Sequence, residues 1–198
     1  ELNTDWRGNL KNDLKECNPI SAPSVDNVAP EGATEAEKEV VESVITEVTT
    51  NAAVKDFTPT LPEEVDNFTI TLAKVEVAEE TTPEAPEAPV TVVTEISYTV
   101  TPSNAAGDKV FKPSEPITFR LPLPSNWASE KVKVIYNDTA LNGDYTVMTA
   151  SGAKYVEVES QSFSTYTVKA IVPLFDGEGT EASPYIIDSS DKLAALSN

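Results

Sequence analysis

Residues 116–138, PITFRLPLPSNWASEKVKVIYND, decide the fold class of this chain, because apolar and polar side chains alternate in two runs separated by a polar turn. The first run has an apolar side chain at every second position: Ile117, Phe119, Leu121 and Leu123. The second run repeats the pattern with Val132, Val134 and Tyr136. Successive side chains of a β-strand point to opposite faces, so this alternation predicts two strands that each bury one face.

Similar short runs recur on both sides of this stretch, at residues 68–77, 90–101, 145–148, 155–158 and 163–168. Turn-forming pairs separate the later runs: Asn-Asp at 137–138, Asn-Gly at 142–143 and Ser-Gly at 151–152. Strands repeated about every 8–12 residues with such turns are typical of all-β sandwiches. The predicted fold class is mainly β, an immunoglobulin-like antiparallel β-sandwich with a short helical N-terminal extension.

Two details of the first pair of runs carry predictions of their own. The apolar positions change parity after Ala73, from Phe68, Ile70 and Leu72 to Val75 and Val77. A parity change predicts a β-bulge or bend at that point. In the run at 90–101, one face is predicted to carry Val90, Val92, Ile96, Tyr98 and Val100.

Residues 79–89, EETTPEAPEAP, lie between these two runs. One interpretation is a polyproline spacer between domains. The other is a long, stiff loop that joins neighbouring strands. The runs on either side have matched length and pattern, and this favours the loop.

Residues 34–49 predict the clearest helix. Thr34 and Glu37 form a capping-box pattern at its start. Its apolar face carries Val40, Val41, Val44, Ile45 and Val48. β-branched residues are poor helix formers on an exposed helix, so this face must be packed, and we expect the following β-domain to be its partner.

A weaker helical stripe precedes it, at Trp6, Leu10, Leu14 and Cys17. Cys17 is the one cysteine of the chain, and the simplest interpretation is an inert, half-buried thiol. The predicted organisation is a helical extension with linkers at residues 1–60 and a β-sandwich domain at 61–172. Residues 173–198 are predicted to be a hinge and the start of a further C-terminal repeat module.

The charge balance argues against two classes of partner. The chain has 33 acidic and 14 basic side chains, a net charge of −19. A field of this sign repels phosphate backbones and anionic lipids, so neither nucleic acid nor a membrane surface is an expected partner. No apolar run approaches the roughly 18 residues that a membrane-spanning helix needs.

The residue inventory also excludes most catalytic chemistry. The chain has no histidine and one cysteine, which excludes Ser-His-Asp and Cys-His catalysis and the usual zinc sites. Its seven glycines form no phosphate-binding loop, so no cofactor is expected. Pairs of carboxylates could still act as in glycosidases, but no pair is singled out by the sequence. We therefore predict that the chain is not an enzyme.

Two sets of residues are weak candidates for binding. Asp176, Glu178 and Glu181 could offer oxygen atoms to calcium, but they lack EF-hand spacing, and a flexible acidic hinge is the simpler interpretation. Trp127 lies in a predicted loop between strands. A tryptophan there is either a plug over the end of the sandwich, which we favour, or a platform on which a sugar stacks.

Parts of the sequence resemble a known group of proteins. PITFRLPLP at 116–124, KVKVIYND at 131–138 and FSTYTV at 163–168 resemble a β-sandwich module of bacterial cell-surface proteins. The tail is similar to the segment that opens GLUG-like, β-helix-type repeats in surface proteins of gut Bacteroidetes, with matches at Gly179, Thr180, Glu181, Pro184, Tyr185, Ile187, Leu193 and Leu196. The resemblance implies an exported surface or cell-envelope protein, and it implies no catalytic residues.

The function that follows from these patterns is a noncatalytic, extracellular or cell-envelope module of structural or adhesin type, which presents a C-terminal repeat region. Three alternatives stay open. The first is a carbohydrate-binding module that uses Trp127, and the second is a carboxylate-dependent glycoside hydrolase accessory. The third is a subunit that self-associates through edge strands. The expected partner is a glycan or another surface protein, and the sequence does not decide the oligomeric state.

Overall fold

The computed structural model describes Ile20 and residues 23–82, 85–127 and 129–171; the side chains of residues 79–90 are not described. The described residues form three helices: α1 (Val25–Val28), α2 (Glu35–Thr49) and α3 (Ala52–Lys55). They also form nine strands: β1 (Asn67–Thr82), β2 (Ala85–Ser103), β3 (Ile117–Leu123), β4 (Lys131–Tyr136), β5 (Thr139–Ala140), β6 (Tyr145–Thr146), β7 (Met148–Ala150), β8 (Ala153–Ser160) and β9 (Thr165–Ala170).

The strands make two antiparallel sheets. The larger sheet has the order β1-β2-β9-β4-β5, and β6 also pairs with β4. The smaller sheet has the order β3-β8-β7. β9 therefore lies inside the larger sheet, although it is the last of the described strands along the sequence.

An aromatic cluster joins the inner faces of the two sheets. The ring of Phe119 from the smaller sheet lies 5.6 Å from Phe68 and 5.2 Å from Tyr166 of the larger one. Phe163, just before β9, lies 5.7 Å from Phe68. Such spacings are those of favourable edge-on aromatic pairs. The mainly β, antiparallel prediction is confirmed, and the layers face each other as in a sandwich. The immunoglobulin-like topology stays a prediction.

β3 and β4 follow the alternation that predicts them, except that Pro122 of β3 is buried as well. Ile117, Phe119, Leu121 and Leu123 are all buried, and so are Val132 and Val134. Their neighbours Thr118 and Arg120 are partly exposed, and Lys131 and Lys133 are exposed. The period-two pattern therefore reports the inner face of each strand directly.

The run at 145–148 is not one strand, as predicted, but two. β6 pairs with β4 in the larger sheet, and β7 pairs with β8 in the smaller sheet. Val147 lies between them, and its N–H donates to the carbonyl of Glu130 at 2.9 Å. The run passes from one layer to the other here, a change that a continuous apolar pattern does not reveal.

The predicted bulge in β1 is confirmed. The pairing register between β1 and β2 shifts between Leu72 and Lys74, which leaves Ala73 as the extra residue. A second shift gives β2 an extra residue at Thr94, since Glu76 pairs with Glu95 and Val77 with Val93. Val93 is consequently buried and Val92 only partly buried. The prediction that Val92 shares a face with Ile96 and Tyr98 was wrong.

The stretch at 79–89 joins two neighbouring strands, as the favoured interpretation requires. Its backbone is not a long loop, however, because β1 continues to Thr82 and β2 begins at Ala85. Thr82 pairs with Ala85. The interpretation of residues 79–89 as a spacer between domains is therefore wrong. The predicted long loop is wrong as well. Strand pairing extends into this proline-containing segment because it lies at the end of a hairpin rather than inside a sheet.

The predicted turns at 137–138 and 151–152 are confirmed, and their conformation explains their residues. Asn137 and Asp138 have φ of 44° and 64°, and Ser151 and Gly152 have φ of 51° and 77°. Hairpin turns with two positive φ values match the right-handed twist of the strands, and Asn, Asp and Gly tolerate this conformation best.

The α2 helix begins as predicted. The N–H of Glu37 donates to Oγ1 of Thr34 at 3.3 Å, and the N–H of Thr34 donates to the Glu37 carboxylate at 2.7 Å. This reciprocal pair satisfies two N–H groups that have no partner inside the helix. The pair thereby fixes where the helix starts.

The apolar face of α2 packs on the sheets, which confirms the expected partner. Val41, Val44, Ile45 and Val48 are buried, and α2 contacts β1, β2 and β3. Near its end, Glu47 accepts a hydrogen bond from the N–H of Ser125, 2.6 Å away, just after β3. These side chains belong to the same hydrophobic cluster as the two sheets. Packing is therefore continuous across the predicted boundary at residue 60.

Several predictions fall outside the described residues: the stripe from Trp6 to Cys17, and the hinge and module at 173–198. Among the described residues, no helix combines the length and apolar character needed to cross a bilayer.

Candidate functional site

Trp127 is buried in the structure. Its side chain is 2% exposed and belongs to the hydrophobic core cluster. The backbone around it is also held, because the Lys154 ammonium donates to the Trp127 carbonyl at 2.7 Å. The ring therefore has no free face on which a sugar could stack. Its indole Nε1 has no hydrogen-bond partner among the described residues.

The calcium candidates Asp176, Glu178 and Glu181 lie outside the described residues. Within the part of the chain that the structure describes, no three His, Cys, Asp or Glu side chains come together as metal ligands.

Two buried tyrosines support the core. The Tyr98 hydroxyl donates to the Pro122 carbonyl of β3, and the Tyr166 hydroxyl donates to the Ser162 carbonyl four residues upstream. The second contact has the geometry of the tyrosine corner found in many β-sandwiches. Burial raises the pKa of Tyr166 to about 12, so the hydroxyl stays neutral at physiological pH. The Tyr98 hydroxyl joins the two sheets, and the Tyr166 hydroxyl closes the corner before β9.

The most elaborate polar cluster lies on the outer face of the smaller sheet. Ile117 and Phe119 point inward, so Arg120 points outward from β3. Its Cζ atom lies 4.1 Å from the centre of the Phe57 ring and 4.4 Å from that of Tyr155. The guanidinium is thus held between two aromatic rings, where the negative ring faces attract its charge.

Hydrogen bonds fix the Arg120 guanidinium further. Its Nε donates to the Glu157 carboxylate on β8 at 3.1 Å, and its Nη1 donates to the Ala53 carbonyl of α3 at 2.9 Å. Asn51 adds a second tie, since its Nδ2 donates to the Lys154 carbonyl at 2.9 Å. Together these contacts fasten residues 51–57 to the outer face of the smaller sheet.

A groove of about 290 Å³ adjoins this cluster, between the segment at 57–62 and the start of β3. Its polar lining comes from three threonines and two glutamates: Thr58, Thr60, Thr118, Glu115 and Glu157. Phe57 and two prolines supply its apolar lining. A mixed lining of this kind suits a small polar ligand better than an apolar one.

The sequence analysis missed this cluster. Arg120 is visible as the polar member of an alternating run, but its aromatic partner Phe57 lies far away along the chain. No local pattern connects the two residues. The weak signal that was present is the aromatic and proline content of 57–62, FTPTLP, directly before the first strand.

Comparisons with protein-family models, with curated proteins and with solved structures found no match to this chain. The resemblance to bacterial surface proteins therefore stays a prediction, and the function is argued from the residues and their geometry.

Proposed function

We propose that this chain is a noncatalytic module of an exported cell-surface protein, in which the sandwich-like domain holds and presents a C-terminal repeat region. The observation that carries the proposal is the place of β9. It pairs with β2 on one side, through Glu95–Thr99, and with β4 on the other, through Val132–Tyr136. A segment that follows β9 is therefore attached to an internal strand, held by two rows of hydrogen bonds.

The exit from β9 is held as well. The N–H of Ile171 donates to the Lys131 carbonyl at 3.4 Å, and the Ile171 carbonyl accepts from Oγ of Ser129 at 3.2 Å. A load on the following segment has to break these bonds before it reaches the ladder of β9. Such an attachment suits a domain that bears a projecting region.

The surface charge supports a projecting role. A net charge of −19 favours solubility and opposes association with other acidic surfaces. The tail that we compare with repeat-opening segments follows this anchored strand in the sequence. Both features support our proposal of a soluble stalk that carries the repeat region.

Surface location is tested on intact cells of the organism that carries the gene. An epitope tag after Asn198 should be accessible to antibody and removable by added protease before lysis, while a cytoplasmic marker stays protected. Labelling that requires lysis would contradict the proposal.

The noncatalytic part is tested separately with the purified chain. We expect no release of reducing ends from a panel of plant, algal and host polysaccharides. Turnover that is abolished by replacing one glutamate with glutamine would instead establish a carboxylate-dependent hydrolase.

A further inference from the structure

We propose that the groove between the segment at 57–62 and the start of β3 binds a neutral, polyhydroxylated ligand, a sugar unit of an uncharged glycan. The inference is independent of the presenting role. It rests on four features of the groove: its place beside a fixed aromatic ring, its free hydroxyl groups, its carboxylates and the charge around it.

The aromatic wall is already in place before a ligand arrives. Phe57 packs on the Arg120 guanidinium at 4.1 Å, and Arg120 is itself held by Tyr155, Glu157 and Ala53. An aromatic ring attracts the C–H groups of a sugar through its negative face. Because the ring is held, binding does not have to restrict it, which lowers the entropic cost of association.

The polar lining matches a ligand rich in hydroxyl groups. Among the described residues, the side chains of Thr58, Thr60 and Thr118 make no hydrogen bond to the protein, so each hydroxyl can donate to or accept from a ligand. Glu115 is exposed and can accept from sugar hydroxyls. Glu157 uses one carboxylate oxygen for Arg120, which leaves the other oxygen for a ligand.

The charge of the groove selects against an anion. Two carboxylates line it, and the chain carries a net charge of −19. Arg120 already pairs with Glu157 at 3.1 Å, so of the two lining carboxylates only Glu115 is left to attract a cation. A ligand without charge avoids the repulsion and accepts the hydrogen-bonding groups as they stand.

The test measures binding of the purified chain by isothermal titration calorimetry and saturation-transfer NMR. The probes are neutral oligosaccharides of glucose, xylose, mannose and galactose, with oligogalacturonate and oligolysine as charged probes. We expect at least one neutral oligosaccharide to bind with a micromolar to millimolar dissociation constant, and neither charged probe to bind more tightly.

Matched variants assign the binding to the groove. Phe57→Leu should weaken it about tenfold, since it removes a ring contact of roughly 1–1.5 kcal/mol. Phe111→Ala, which removes a phenylalanine that is 60% exposed elsewhere, should leave it unchanged. Glu115→Gln should weaken it severalfold, whereas Glu130→Gln, another exposed carboxylate, should not.

Glu115 is exposed, so its replacement does not threaten the fold and keeps the test valid if Phe57→Leu is unstable. Three outcomes overturn the proposal: no neutral probe binds, oligolysine or oligogalacturonate binds in preference, or binding survives both groove substitutions in folded protein.

Discussion

At the scale of single residues, Arg120 shows how one side chain joins two parts of the chain. Its guanidinium is planar, stacks between Phe57 and Tyr155, and donates to both a carboxylate and a backbone carbonyl. A flat, delocalised cation with several donors in one plane can make all these contacts at once. Arg120 therefore links residues 51–57 to the smaller sheet.

Replacing Arg120 by lysine should destabilise the domain although the charge is kept. An ammonium group has no plane to stack, so we expect the free energy of unfolding to fall by about 1–2 kcal/mol in urea titrations. Lys169→Met is the control, because the Lys169 side chain is 57% exposed and its ion pair with Glu95 spans 3.7 Å. The Lys169→Met substitution should lower the free energy of unfolding by less than about 0.5 kcal/mol. Equal effects of the two substitutions would contradict the role of stacking.

The raised pKa of Tyr166 predicts how the stability of the fold changes at high pH. Burial raises its folded pKa from 10.0 to about 12, so the folded state favours the protonated hydroxyl. The stabilisation is complete below pH 10 and is lost as pH rises from about 10 to 12.

The Tyr166→Phe variant should lose about 0.5–1.5 kcal/mol at neutral pH, because the hydrogen bond to Ser162 is removed. It should also show a shallower decline of unfolding free energy above pH 10 than the unsubstituted chain. Guanidinium titrations at a series of pH values measure both effects. Parallel pH profiles would show that Tyr166 does not control this decline.

At the scale of elements, β1 shows how an exposed edge is protected. It ends the order of the larger sheet, so its outer side has no neighbouring strand among the described residues. The bulge at Ala73 interrupts it, and Lys74 follows with its side chain 53% exposed and paired with Glu76. Bulges and lysines on an edge strand oppose pairing with another chain.

Lys74→Val should increase self-association, because it places a β-branched apolar residue on this edge and removes the charge. Sedimentation velocity over a range of protein concentrations should show a larger weight-average mass than for the unsubstituted chain. The control is Lys112→Val, which makes the same change at an exposed position outside the strands. The same increase in both variants would point to general hydrophobicity rather than to the edge.

At the scale of the whole molecule, the helices and the sheets share one hydrophobic cluster. Val41 and Val48 of α2 are fully buried with the inner faces of both sheets. The α2 helix buries its apolar face only by packing on the sheets, so its stability comes from this packing more than from helix propensity. We therefore expect residues 25–171 to unfold as one cooperative unit.

Val48→Ala tests this cooperation. Removing two buried methyl groups should lower the free energy of unfolding by about 1–3 kcal/mol, through lost burial and a residual cavity. Circular dichroism at wavelengths for helix and for strand should follow one transition, shifted equally by the substitution. Glu42→Ala, on the exposed face of α2, is the control. A shift seen only in the helical signal would mean that residues 25–60 are a separate extension.

The local parts of the fold could be predicted from the sequence. Alternation at Ile117–Leu123 predicts the buried face of β3, the parity change at Ala73 predicts the bulge, and Thr34 with Glu37 predicts the start of α2. Each depends on neighbouring residues and on the geometry of a single element. The bulge at Thr94 and the change of layer at Val147 could not be predicted, because they depend on the partner strand.

The sequence by itself determined the class of the fold and most of the strands. The tertiary structure decided which elements meet: β9 between β2 and β4, α2 against three strands, and Phe57 against Arg120. The physical reason is that backbone alternation, capping and turn chemistry act over a few residues. Pairing order and the groove beside β3 depend instead on how all the apolar faces of the chain are buried together.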